Sequence, residues 1–166
     1  MPSISLRLFY LFSLFFVLHT AAQAQIKVPA APVPAVLVAD FSSTLQANER
    51  GALELKLGKF EDAGNAQIVV VLVPTLDGAS VEEYAATLFN AWGIGDKTRN
   101  DGVLLLLAMQ DRKMRIETGY GAEERITDAV AARIIRDQLT PRLREGLPYL
   151  ALHEATNALI KELNPA

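Results

Sequence analysis

The sequence contains no cysteine. That excludes a disulfide framework, a thiol nucleophile and a lipid-modified N-terminal cysteine, so stability has to come from a packed core. Histidine is nearly absent too. His19 falls in the N-terminal segment, and His153 stands alone beside a helical core stripe, where it reads as structural. No serine sits in a Gly-x-Ser-x-Gly elbow, and neither a Gly-Lys-Ser/Thr phosphate loop nor a full G-x-G-x-x-G is present. There is no basic excess: the formal net charge is −3, which argues against a nucleic-acid backbone as partner. Long hydrophobic runs are also missing. The longest, Leu8 to Leu18, is shorter than the stretch of about 20 residues that a membrane-crossing helix needs.

What is present begins with that run. Arg7 precedes it, and Ala22-Gln23-Ala24 follows with small residues at the positions of an export cleavage site. Residues 1–24 are therefore read as a signal peptide cut after Ala24, with an uncleaved N-terminal anchor as the alternative. The expected location is periplasmic or secreted, with no stable membrane span in the mature chain. Removing residues 1–24 takes away one Arg and no acid. It leaves fifteen Lys and Arg against nineteen Asp and Glu, a net charge of −4. Residues 25–35 form a Pro/Ala-rich stretch read as an extended spacer. Residues 36–166 are enough for one domain.

Within that domain the pattern alternates between strand and helix. Val36 to Ala39 reads as a short strand. A helix from Ala47 to Asp62 places Leu53, Leu57 and Phe60 on one face, with Gly64 as its stop. Gln67 to Val73 is β-branched and apolar on both faces, hence a covered strand. Ser80-Val-Glu-Glu83 is a capping box before a helix with Tyr84, Leu88 and Trp92 on one stripe. Val103 to Met109 is a second covered strand. Gln110 to Lys113 turns the chain into Met114 to Thr118, making a hairpin. A helix from Asp128 to about Leu139 follows, interrupted at Pro141 and broken at Gly146, and Pro148 starts a last helix. The pattern predicts an α/β fold: a three-layer α/β/α sandwich on a small mixed β-sheet, in a single domain. The crossover between the two covered strands should be right-handed and leave them parallel.

That topology has a consequence for chemistry. The start of the second covered strand, Asn100-Asp101-Gly102, should share one sheet edge with Gly119-Tyr120-Gly121 at the end of the hairpin. Trp92-Gly-Ile-Gly95 returns to the same edge. Asp101, Glu123, Glu124 and Asp128 are then candidates to converge. Carboxylates beside glycine turns that expose carbonyls suit a hard cation such as Ca²⁺. The same groups could hold a metal that activates water against a phosphate ester. Each also has a plainer role, since Asp-Gly is a common turn pair and Asp128 after Thr127 is an ordinary helix start. Arg112 in the hairpin turn reads as a solvated charge, although an Arg beside a pocket can grip phosphate.

Taken in order, W-G-I-G, N-D-G-V-L-L-L, D-R-K, G-Y-G and T-D-A make the chain from Val36 to about Leu163 resemble the TPM domain family. That family includes thylakoid-lumen proteins linked to photosystem II repair and many exported bacterial proteins. The resemblance implies an α/β/α sandwich that binds Ca²⁺ or another divalent cation, with acid phosphatase activity in the plant lumenal branch and accessory or assembly roles elsewhere. By motif position it points to Asp40, Asp101, Glu123 and Asp128. Asp40 should leave at the opposite edge, so the metal expectation rests on Asp101, Glu123 and Asp128. No catalytic residue and no organic cofactor is assigned. The chain departs from the family's usual pattern at Ala122 and Glu124, which alters the loop and adds a charge.

The resulting expectation is an exported accessory or maintenance factor of the cell envelope with an acidic divalent-cation site and envelope proteins as partners. The alternatives are a metal-assisted phosphatase acting on phosphomonoesters and a non-catalytic protein-interaction module.

Overall fold

The computed structural model describes residues 25–164; the segment read as a signal peptide lies outside them. The core strands follow from their composition. β2 (Ile68–Val73) and β3 (Val103–Ala108) are each buried at all six positions, as expected of strands covered on both faces. They run parallel, pairing Ile68 with Val103 through Val73 with Ala108. β1 (Val38–Asp40) joins β2 in parallel. β4 (Lys113–Thr118) returns antiparallel to β3, which gives a four-stranded sheet in the order β1-β2-β3-β4.

Alternation along β2 and β3 divides the core in two. Ile68, Val70, Leu72, Val103, Leu105 and Leu107 face a layer built from α1 (Ala47–Asp62), α4 (Asp128–Ile134) and α6 (Pro148–Leu163). Val69, Val71, Val73, Leu104, Leu106 and Ala108 face α2 (Val81–Trp92) alone among the longer helices. The expected three-layer α/β/α sandwich is therefore present, with one thick helical layer and one thin.

The thin layer is completed by a segment read from sequence as a spacer. Ile26 and Val28 pack against the α2-side core, and the Trp92 indole N–H donates to the Pro29 carbonyl at 2.9 Å. Trp92 also meets Phe41 edge-on, with ring centroids 6.2 Å apart. Proline stiffness explains the difference. An extended, preordered segment loses little entropy when it is laid on an apolar face. Trp92 is half-buried between this strap and Phe41, whereas Tyr84 and Leu88 on the same stripe are buried.

The helix starts follow their caps. The Glu49 carboxylate accepts the Gln46 N–H at 2.8 Å, Ser80 Oγ accepts the Glu83 N–H at 3.2 Å, and Thr127 Oγ1 accepts the Val130 N–H at 3.3 Å. Pro141 does not stop the chain as its position suggested. Instead the helix widens into a π segment, Ile135–Leu139, before a short α5 (Thr140–Arg144). Proline has no N–H to return and its ring crowds the carbonyl four residues back, which the wider turn relieves. Thr140 compensates by donating both its N–H and its hydroxyl to the Ile135 carbonyl, the latter at 2.9 Å.

Two polar contacts fix the outer parts of the thick layer. The Leu37 and Val38 N–H groups at the start of β1 each donate to the Glu54 carboxylate at 2.7 Å. Lys56 reaches from α1 to α6, donating to His153 O (3.0 Å), Thr156 Oγ1 (2.6 Å) and Asn157 Oδ1 (3.0 Å). Burial lowers its pKa from 10.5 to about 8. Because the folded value lies below the unfolded one, the unfolded chain keeps a proton that the folded chain has released between these limits. This group's contribution to stability therefore rises with pH from about 8 to 10.5. An NMR titration of the Lys56 Cε resonance should show a midpoint near 8. A midpoint at the ordinary lysine value would mean that the three acceptors outweigh burial.

Candidate functional site

Three turns meet at the edge where β3 begins. The first leaves α2 through Gly93, which is left-handed at φ 61°, and Ile94, which is buried. Gly95 has φ 99°, a conformation that side chains rarely adopt, and its N–H donates to Gln67 Oε1 at 2.8 Å. The second turn is the charged loop. Asp96 Oδ1 accepts the Thr98 and Arg99 N–H groups at 2.8 and 2.9 Å, and the Asp96 carbonyl accepts the Asn100 N–H at 2.7 Å. The Arg99 and Thr98 amides hold the Asp96 carboxyl below the usual aspartate range. The third turn is Gly119-Tyr120-Gly121, leading into the single-turn helix α3 (Tyr120–Glu123).

These turns interlock through backbone. Gly119 N–H donates to the Gly102 carbonyl and Gly121 N–H to the Asn100 carbonyl, both at 2.9 Å. A Cβ at Gly95 would strike Gly102, and one at Gly102 would strike the Ile94 carbonyl. One at Gly119 would meet the Asn100 carbonyl oxygen, and one at Gly121 would meet that of Arg99. The N-D-G turn is therefore packed between W-G-I-G on one side and G-Y-G on the other. Gly95, Gly102, Gly119 and Gly121 each make room for another turn's main chain.

The candidate metal residues separate within this arrangement. Asp101 is only 9% exposed, and both of its oxygens are engaged. Oδ1 accepts the Asp96 N–H at 3.1 Å, and Oδ2 pairs with Arg99 Nε at 3.1 Å. Arg99 in turn donates to the Gly64 carbonyl at 2.7 Å, tying the loop to the end of α1. Glu123 closes α3 and Asp128 opens α4; both are exposed, and neither forms an ion pair among the described residues. Among the described residues no group of three or more His, Cys, Asp or Glu is placed to hold a metal ion. Asp101 would have to give up Arg99 and an amide to become a ligand, so as arranged the three acids do not fit a preformed Ca²⁺ centre. Asp40 lies at the other sheet edge, as its strand direction required. It accepts the Ser42 N–H (3.0 Å), the Ser42 hydroxyl (2.7 Å) and the Leu45 N–H (2.7 Å), a loop-ordering role.

Sequence reasoning missed Arg99 and Gln67, which hold this edge together. Gln67 read as the first residue of a strand and Arg99 as one charge among several in a loop. What the interlocked edge displays outward is Tyr120, 85% exposed between its two fixed glycines, with Glu123, Glu124 and Asp128 following.

The family model for the TPM domain matches residues 38–162. The chain belongs to that family. Solved structures carry the same architecture. The TPM domain here is similar to the N-terminal domain of a P. gingivalis protein, with a TM-score of 0.71 and 27% identity over 82% of this chain and 93% of that one. It is also similar to the N-terminal domain of a Corynebacterium glutamicum protein, with a TM-score of 0.62 and 14% identity over 84% and 87% of the two chains. A protein of the psychrophilic bacterium Bizionia argentinensis gives a TM-score of 0.60 and 22% identity over 74% and 86%. Comparison with curated proteins returned no match.

Proposed function

We propose that this TPM domain is an exported accessory factor of the cell envelope that works by binding another protein through the interlocked edge. The observation that carries this reading is Tyr120. A tyrosine is held far out in solvent on a turn whose two glycines are locked against the neighbouring main chain. An aromatic presented on a rigid frame loses little freedom on contact, and tyrosine is enriched among the residues that dominate protein interfaces. The export signal read in residues 1–24 supports the location. A photo-crosslinking amino acid at position 120 should trap a discrete partner in the exporting cell, while the same probe at exposed Leu55 on α1 should not. No adduct at 120, or identical adducts at both positions, would defeat the proposal.

A second reading keeps the divalent cation at this edge, and what favours it is that Glu123 and Asp128 are exposed beside it and form no ion pair among the described residues. It is separated by calorimetric titration of residues 25–166 with Ca²⁺ and with Mg²⁺. The binding-module reading expects no saturable heat below millimolar cation, and expects Asp101→Ala to lower stability instead. Saturable heat that disappears in Asp101→Ala or Asp128→Ala would establish the cation site. A phosphatase at this edge would then require phosphomonoester turnover that both substitutions abolish.

A further inference from the structure

The opposite end of β3 carries a feature that neither reading uses. Where the β3–β4 hairpin meets α5, a groove of about 610 Å³ opens over the thick-layer side of the sheet. Its floor is apolar and adaptable: Met109, Met114 and Leu143, each only partly buried. Its rim is cationic, with Arg112, Lys113 and Arg144, all exposed. None of the three forms an ion pair with a carboxylate among the described residues.

The local acids are spent elsewhere. Asp111, adjacent to Arg112, accepts the Leu76 N–H at 2.7 Å. Glu145, adjacent to Arg144, pairs with Arg142 at 3.1 Å. A chain with net charge −3 thus concentrates three unneutralised cations around one apolar concavity, with no carboxylate lining it. The volume lies within the range of about 300–1,000 Å³ usual for small-molecule sites. The π segment bears on the same place. It inserts extra backbone per turn just before Thr140, Leu143 and Arg144, and so sets which side of α5 meets the hairpin.

We propose that this groove binds a small amphipathic anion, a phosphate ester whose head is held by Arg112, Lys113 and Arg144 and whose apolar body lies on Met109, Met114 and Leu143. The guanidinium groups give forked donors suited to a phosphate, and the methionines adapt to the shape of the attached group. The site is about 20 Å along β3 from the interlocked edge, by strand rise, so the two can be occupied independently. The same head-and-tail chemistry is offered by a soluble alkyl phosphate and by an anionic phospholipid.

Backbone-amide NMR of residues 25–166 titrated with hexyl phosphate tests this. Saturable shifts are expected for residues 107–114, 140 and 142–144, with inorganic phosphate binding the same residues at least about 10-fold more weakly for want of the apolar body. Arg112→Gln and Arg144→Gln should each weaken hexyl phosphate at least about fivefold. Lys59→Gln, on α1 away from the groove, should leave it unchanged. Both charge variants alter exposed residues, and unchanged amide dispersion confirms that they fold. Co-sedimentation with phosphatidylglycerol vesicles that Arg144→Gln abolishes would name a lipid headgroup as the source. Binding of hexyl phosphate without vesicle binding would name a soluble ester. The proposal is overturned by shifts scattered over the surface, by inorganic phosphate binding as well as hexyl phosphate, or by affinity that survives both substitutions.

Discussion

Gly95→Ala is expected to cost about 3 kcal/mol or more of unfolding free energy, two independent penalties falling on one residue. At φ 99° an alanine is strained whatever space surrounds it. Here there is also no space: its Cβ would overlap the Gly102 amide nitrogen and lie 2.7 Å from the Gly102 Cα. Neither partner is a side chain that could swing aside. Relief would require separating the α2 exit from the start of β3, which would also loosen the Asp101 and Gly121 contacts. Gly51 provides the control, since it lies inside α1 with nothing within 4 Å of where a Cβ would sit. Gly51→Ala should raise stability by roughly 0.5–1 kcal/mol. Urea denaturation of both variants at one pH makes the comparison. A Gly95→Ala protein within 1 kcal/mol of the parent would mean that the edge is not interlocked.

Truncating the central strand should cost unequally on its two faces. Leu104 and Leu105 are neighbours on β3 and both are fully buried, but Leu104 faces the α2 layer and Leu105 the thick layer. Leucine-to-alanine losses span about 2–5 kcal/mol, and the spread reflects how far the surroundings collapse into the space left behind. One helix and an extended strap cover Leu104, and such a cover can settle inward. Leu105 lies under α1, α4 and α6, which brace one another through contacts such as Lys56 with Thr156. Leu105→Ala should therefore fall near the upper end, about 4 kcal/mol, and Leu104→Ala nearer about 2.5. Denaturation midpoints settle the order. Equal losses, or a larger one at Leu104, would contradict the unequal layers.

The fold was legible wherever one residue type had one use. Val69 to Val73 and Val103 to Leu107 are apolar on both faces and admit only a covered strand. Ser80 and Thr127 each have an amide three residues on to cap. From those elements the meeting of N-D-G with G-Y-G followed by strand direction alone, and the backbone hydrogen bonds bear it out. Other features turned on alternatives the pattern does not distinguish. Pro141 reads equally as a helix stop or as the cause of a wider turn. The choice depends on Thr140 reaching the Ile135 carbonyl. Residues 25–35 look like a linker because stiffness reveals nothing about what the segment lies on. Element order led to Asp101, Glu123 and Asp128 as candidates to converge at one end of the molecule. Pairing within the loop escaped that reasoning: Arg99 folds back onto Asp101 across Asn100, which takes a left-handed conformation at φ 50°.

The Glu54 carboxylate has a consequence beyond holding α1 to β1. β1 is the outermost strand on its side, and an outer strand offers free amides on which a second copy could extend the sheet. Here one carboxylate takes the Leu37 and Val38 amides. The β1 margin is thus guarded by charge against pairing with another chain.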